Sequence, residues 1–179
     1  CHNNMILLII YWYAYAAILN WIKLSRLTHS KVLSTDGLFM KTAIKLLSGV
    51  AFEAKSGSGH TIIMDGAAES GGQNHGARPM EMLLMGLGGC SAYDVVSILR
   101  KSRQDITDIA LEIEAKRAET DPKIFTSIHL HFKIFGQNIS KNIVERAINL
   151  SAEKYCSASI MLGKSAQITH DYEIFNPAT

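Results

Sequence analysis

The stretch Ala77-Arg78-Pro79-Met80-Glu81-Met82-Leu83-Leu84-Met85-Gly86-Leu87-Gly88-Gly89-Cys90-Ser91-Ala92-Tyr93-Asp94-Val95-Val96 decides how the rest of the chain folds. Proline suits the first turn of a helix, where its missing N–H would have had no intrahelical partner. Glu81 follows in that turn, where the helix dipole favours an acid. The next residues are apolar on nearly every face, the mark of a helix enclosed by protein. Gly86, Gly88 and Gly89 then lead to a single thiol. Each glycine costs about 1 kcal/mol of helix relative to alanine. Two compensations are open: close approach of another backbone, or access of a small ligand to Cys90.

The 179 residues are enough for one domain with a real core. A formal charge of +2, with Lys and Arg scattered among acids, gives no nucleic-acid surface. Three cysteines, Cys1, Cys90 and Cys156, do not make a disulfide framework. In a reducing compartment Cys90 and Cys156 are structural, metal-binding or redox-active.

Residues 1–39 form an apolar extension. Its uncharged run from Met5 to Ile22 is near the lower length limit for spanning a bilayer, and Lys23 and Arg26 after it would keep the following domain cytoplasmic. No positive n-region or small-residue cleavage site marks it as a secretion signal. The extension is read as upstream sequence translated in frame ahead of a start at Met40, with a membrane anchor at residues 5–22 as the other reading. The globular domain is 40–179.

Within it, Lys41 to Lys55 reads as one imperfectly alternating strand, Ser56-Gly57-Ser58-Gly59 as a turn, and His60 to Asp65 as the return strand of a hairpin. Gly66 to Gly76 is a loop long enough to be mobile or to cover a site. The central helix runs from Pro79 to about Gln104, with Arg100, Lys101 and Arg103 at its C-terminal end. Leu111, Ile113 and Ala115 alternate with Glu112, Glu114 and Lys116. Beyond the turn Thr120-Asp121-Pro122-Lys123, Ile128, Leu130, Phe132 and Ile134 alternate with His129, His131 and Lys133, making a second hairpin with one wet face. Ser140 stands where it can cap a second helix that carries Ile143, Val144, Ala147, Ile148 and Tyr155 inward and reaches Cys156. The last strand, Ala166 to Phe175, sets Ile168, His170, Tyr172 and Ile174 on one side. The order is ββαββαβ, an α+β fold.

Few constellations carry chemistry. His129 and His131 share a strand face but have no third ligand nearby in sequence, so a polar row is the better reading and no metal site is assigned. Gly89-Cys90-Ser91-Ala92 is not a protease nucleophile signature. Thiol chemistry at Cys90 needs a cation or a helix N-terminus, and Cys90 lies about three turns into its helix, too deep for the dipole. The residues alone leave a small inert hydrophobe and a reactive thiol both open.

Three strings together resemble the OsmC/Ohr superfamily, nearest its YhfA-like OsmC branch: Arg78-Pro79-Met80-Glu81 through Gly88-Gly89-Cys90-Ser91, Glu153-Lys154-Tyr155-Cys156-Ser157, and Gln167-Ile168-Thr169-His170. The resemblance covers roughly residues 40–175. It implies an intertwined homodimer in which two central helices are wrapped by curved antiparallel sheets, with two sites at the dimer interface. It also implies a cytoplasmic thiol-dependent reductase of organic hydroperoxides in oxidative stress defence. Cys90 matches the peroxidatic cysteine, Cys156 the resolving one, and Glu81 is the candidate catalytic acid. The implied partners are the second copy, a small hydroperoxide and an external dithiol; no cofactor, metal or nucleic acid is expected, and a membrane only if residues 5–22 insert. The alternative is a non-catalytic dimeric binding or stress-associated protein with redox-sensitive cysteines. Two positions depart from the peroxidase pattern. Met80 stands directly after the proline where a glutamate is expected, and Glu81, one residue on, is turned by about 100°. No arginine lies between Met40 and Ala77, so Lys55 or Arg78 would have to supply the cation.

Overall fold

The computed structural model describes residues 39–176; the apolar run at 5–22 and both readings of it lie outside that range. By internal contacts the described chain divides into two compact units. One holds 39–45 with Ala54–Ile62; the other holds Leu46–Glu53 with 63–176.

The first sheet has three strands in sequence order, β1 (Thr42–Ser48), β2 (Ala51–Ser56) and β3 (Thr61–Met64). The single strand expected over 41–55 is therefore two. The break falls at Gly49, whose φ of +54° turns the chain back on itself, a conformation glycine adopts without penalty. Between β2 and β3 the turn is tight: Gly59 N–H donates to the Ser56 carbonyl at 3.0 Å, and Ser56 N–H to the His60 carbonyl at 2.9 Å.

The glycine-rich segment after β3 is built around Asp65, a carboxylate only 2% exposed. It accepts the backbone N–H groups of Gly66 (2.7 Å), Gln73 (2.9 Å) and His75 (3.0 Å). Bonds from His75 and Gln73 hold its carboxyl below the ordinary value against the opposing effect of burial, with Gly66 adding to them. A segment that reads as a loose loop thus closes on one buried acid, with a short 3₁₀ turn at Ala68–Ser70.

Helix α1 spans Pro79–Lys101. Sheet two follows: β4 (Asp105–Arg117) pairs antiparallel with β5 (Phe125–Gln137), putting Ile113 opposite Leu130 and Glu112 opposite His131. Alternation works as the pattern requires. Phe125, Ile128, Leu130, Phe132 and Ile134 are buried, and β4 turns Glu112 and Glu114 outward. The last strand, β6 (Gln167–Phe175), lies beside β5 but parallel to it, Ile134 opposite Ile174. The sheet is mixed rather than wholly antiparallel. Its reason is connectivity: helices intervene between β5 and β6, and such a crossover brings the chain back in the same direction. The α+β class stands, with the order βββ, α, ββ, helices, β.

The segment expected as one helix to Cys156 is three pieces. Helix α2 (Lys141–Leu150) buries Val144, Ala147 and Ile148. A π turn over Ser151–Tyr155 follows, then α3 (Ser157–Leu162). Ser140 holds the N-cap position without a side-chain cap bond; its carbonyl accepts Ile143 and Val144, and its N–H donates to Gln104 Oε1 at 2.8 Å. The π turn changes which residue faces inward. Cys156 N–H reaches back five residues to the Ser151 carbonyl at 2.9 Å, so the extra residue of the wide turn advances the phase by one. Cys156 is fully buried, whereas Tyr155, which α-helical spacing points inward, is 50% exposed.

The core packs α1 residues Leu87, Val95 and Leu99 with the inner face of β5 and with Val144, Ala147, Ile148 and Cys156. Gly88 lets α1 settle on β4: a Cβ there would stand 2.8 Å from Ile113 Cδ1 and 3.4 Å from Leu111 Cδ2. Close approach at this glycine is to a sheet, not to a second helix.

Candidate functional site

The two thiols meet. Cys90 on α1 and Cys156 at the start of α3 are both free, and their sulfurs, with a carboxylate oxygen of Asp94, all lie within 4.8 Å of one another. Asp94 reaches the cluster because it follows Cys90 by one helical turn, on the same face. Cys156 reaches it because the π turn swings it inward and the chain then turns extended, φ −73° and ψ 99°, to open α3.

Each member has its own set of partners. Cys156 Sγ accepts the Ser91 hydroxyl at 3.4 Å and the Ser159 backbone N–H at 3.4 Å, the latter as the N-cap bond of α3. Ser151, buried in the π turn, donates its hydroxyl to Asp94 Oδ2 at 3.3 Å. Cys90 is half-buried, so the cluster is open on its side and closed on that of Cys156.

Electrostatics separate the two sulfurs. Burial pushes the Cys90 thiol up, and hydrogen bonding to Cys156 pushes the same way, as do the negative charges of Cys156 and Asp94; a bond from the Ala158 backbone opposes them. For Cys156 burial also acts upward, but hydrogen bonds from Cys90, Ser159 and Ser91 outweigh it and draw the thiol down. Hydrogen bonding between the two sulfurs therefore favours ionisation of Cys156 over that of Cys90. Among the described residues Asp94 makes no ion pair with Lys, Arg or His.

Glu81 does not join this cluster within one chain. Its Oε2 accepts the Arg78 N–H at 2.9 Å, closing the N-terminus of α1. At 1.5 Å rise per residue it lies ~13 Å along the helix axis from Cys90. Arg78 is farther still at the N-cap, and Lys55 is an exposed residue of β2. Glu81 instead lines the end of an apolar groove of about 520 Å³ along α1, formed with Leu84, Met85, Gly88, Gly89, Ala92, Leu111 and Ile113.

His129 and His131 sit on the outer face of sheet two with Asp171 of β6, which parallel pairing sets opposite His131. His131 Nδ1 is 2.5 Å and His129 Nε2 3.4 Å from Asp171 Oδ1, and Lys133 pairs with Glu112 at 2.5 Å. This is a row of cross-strand polar pairs.

Asp94, Ser91, Ser151 and Ser159 escaped the sequence reading. An acid amid the apolar α1, one turn after a cysteine, is the signal that was there to use; the serines gave none, because they matter only once Cys156 is brought against α1.

Known proteins share the sequence pattern and the fold of this chain. Residues 71–171 match the family described as OsmC-like protein. Protein YhfA of Escherichia coli K12 is 48% identical over 135 residues, covering 75% of this chain and 98% of that protein. A hypothetical protein from Aquifex aeolicus VF5 superposes with a TM-score of 0.69 at 32% identity, covering 78% of this chain and 98% of that one. At 15% identity the fold extends to an organic hydroperoxide resistance protein OsmC from Legionella pneumophila, TM-score 0.60, covering 75% of this chain and 96% of that one.

Proposed function

This chain belongs to the OsmC family, and from that membership we propose that it is a cytoplasmic, cysteine-based reductase of organic hydroperoxides acting in oxidative stress defence. The observation that carries the reading is the pairing of two free thiols from distant parts of the chain, one of them half-buried and reachable. Cys90, the sulfur open to solvent, is the attacking residue although its thiol is pushed up: once its proton has passed to Cys156, the Cys90 thiolate takes the terminal oxygen of the hydroperoxide, the O–O bond breaks, and the alcohol leaves with a proton while Cys90 becomes a sulfenic acid. Cys156 then displaces water from that sulfur to form the Cys90–Cys156 disulfide. An external dithiol takes over the oxidised state and restores both thiols, a cycle suited to a reducing compartment.

The working unit is a homodimer. Its support is the outer side of α1, where Leu83, Met85 and Tyr93 are 48%, 56% and 74% exposed and Gly86 and Gly89 face open space. Glu81 acts in this scheme on a thiol of the second copy, since within its own chain it is committed to the helix N-terminus.

The test is direct. Reduced protein receives one equivalent of an organic hydroperoxide, and free thiols and the intramolecular disulfide are followed by mass spectrometry. Peroxide should vanish as the disulfide forms; Cys90→Ser should abolish consumption, and Cys156→Ser should stop after a single sulfenic acid. Survival of both thiols beside unconsumed peroxide sinks the reading. One observation favours the second reading, a non-catalytic dimeric binding or stress-associated protein with redox-sensitive cysteines: the charged side chain clustered with Cys90 is the Asp94 carboxylate, which opposes a thiolate rather than stabilising one.

A further inference from the structure

We propose that Cys90, Asp94 and Cys156 form a binding site for a thiophilic divalent cation of the zinc class. Two thiolates and a carboxylate are a donor set such an ion takes readily, and three protein ligands with an open fourth position are a common arrangement for it. The donor atoms already lie within 4.8 Å of one another. Around a tetrahedral ion, with metal–sulfur bonds of about 2.3 Å and metal–oxygen bonds of about 2.0–2.2 Å, donors stand roughly 3.5–3.8 Å apart. A small contraction of three side chains completes the cage.

Its supports are built in. Cys90 and Asp94 are fixed one turn apart on a long helix packed into the core, the placement that holds ligands best. Ser151 donates to one carboxylate oxygen of Asp94 and leaves the other free for a metal. Ser91 and the Ser159 amide orient Cys156 Sγ, as donors behind a ligating thiolate do. When all three donors are ionised they carry three negative charges, and none is ion-paired with a cation among the described residues. A divalent ion leaves a single net negative charge where three would repel. Access is from the half-buried Cys90 side, where the fourth position opens to water or a small ligand.

Binding forms two metal–sulfur bonds and one metal–oxygen bond and releases one proton from each thiol. The ion and a hydroperoxide then compete for the same sulfur electron pairs. Oxidation of both thiols to the disulfide, with the peroxide reduced to alcohol and water, expels the ion. The site rests on where the three donors stand, not on how fast they react with peroxide.

The experiment uses the full chain, reduced and oxygen-free, titrated with Co²⁺ and then Zn²⁺. The expected result is one Co²⁺ per chain with thiolate-to-metal charge-transfer absorption, bleached as Zn²⁺ displaces it. Asp94→Asn should weaken binding on the order of 10- to 100-fold, and Cys156→Ser should remove most of the charge-transfer band. In the unaltered protein, which needs no variant to fold, excess Zn²⁺ should slow alkylation of Cys90 and Cys156 by ~tenfold or more. Absence of the band, unslowed alkylation of the pair, or undiminished affinity in a folded Asp94→Asn variant overturns the site. Peroxide consumption, measured separately on metal-free protein, stands or falls independently of all three.

Discussion

The two sides of α1 have nearly the same composition and opposite fates. Inward, Leu87, Ser91, Val95 and Leu99 run down one stripe and are fully or almost fully buried, with Gly88 pressed onto β4. Outward, Met85 and Tyr93 are exposed, and Gly86 and Gly89 meet nothing within 4 Å. The helix is long and apolar enough to cross a bilayer by length and composition, yet its inner stripe is already used by β5 and α2. Apolar character alone therefore does not say what a surface is for. One stripe holds a single chain together; the other is the face proposed to hold two chains together.

Substitutions that separate the stripes should differ in kind as well as size. Leu99→Ala removes a fully buried side chain and should cost about 2–5 kcal/mol of unfolding free energy, read from urea midpoints. Gly88→Leu forces a side chain into Ile113 and Leu111 and should cost about 1–3 kcal/mol by overpacking. Gly89→Ala, one residue on, should instead stabilise an isolated chain by up to about 1 kcal/mol of helix propensity. If Gly89→Ala lowers stability at high protein concentration only, a second copy touches that glycine. Tyr93→Lys leaves the inner stripe untouched, so thermal unfolding of the chain should hardly move while light scattering reports a shift from dimer to monomer. A monomeric unaltered protein would end the outer-stripe reading.

The smallest effect is local. The folded Asp65 carboxyl lies below its ordinary value, so its contribution is fully present above the unfolded-state value of about 3.9 and is lost as pH falls through the folded value. Hydrogen-exchange protection at the Gln73 and His75 amides, taken relative to the free amide, should fall in acid first, and Asp65→Asn should lower it at neutral pH. His75 Nδ1, 3.7 Å from the carboxylate, adds a modest attraction when protonated.

Much of this architecture was readable in advance, and the exceptions share a cause. Alternation fixed the inward residues of β5, because a period of two admits only one solution with Ile128, Leu130, Phe132 and Ile134 on the same side. Proline, glutamate and the apolar run placed α1 correctly from Pro79. What escaped were changes of phase: the reversal at Gly49 that splits one strand into two, and the π turn that exposes Tyr155 and buries Cys156. A single inserted residue alters which side chain faces inward while leaving composition almost unchanged. The candidate site was half legible. Its cysteines were visible; Asp94 was passed over because its importance depends on what stands opposite it.

The sequence by itself determined the helix, the alternating strands and, through its three matching strings, the family, since each of these is written in local order. Only the tertiary structure decided that Cys156 lies beside Cys90 and that the Asp94 carboxylate stands within reach of both sulfurs. Those facts depend on a crossover to a parallel strand and on one wide turn, where distant residues are brought together by packing that no local pattern encodes.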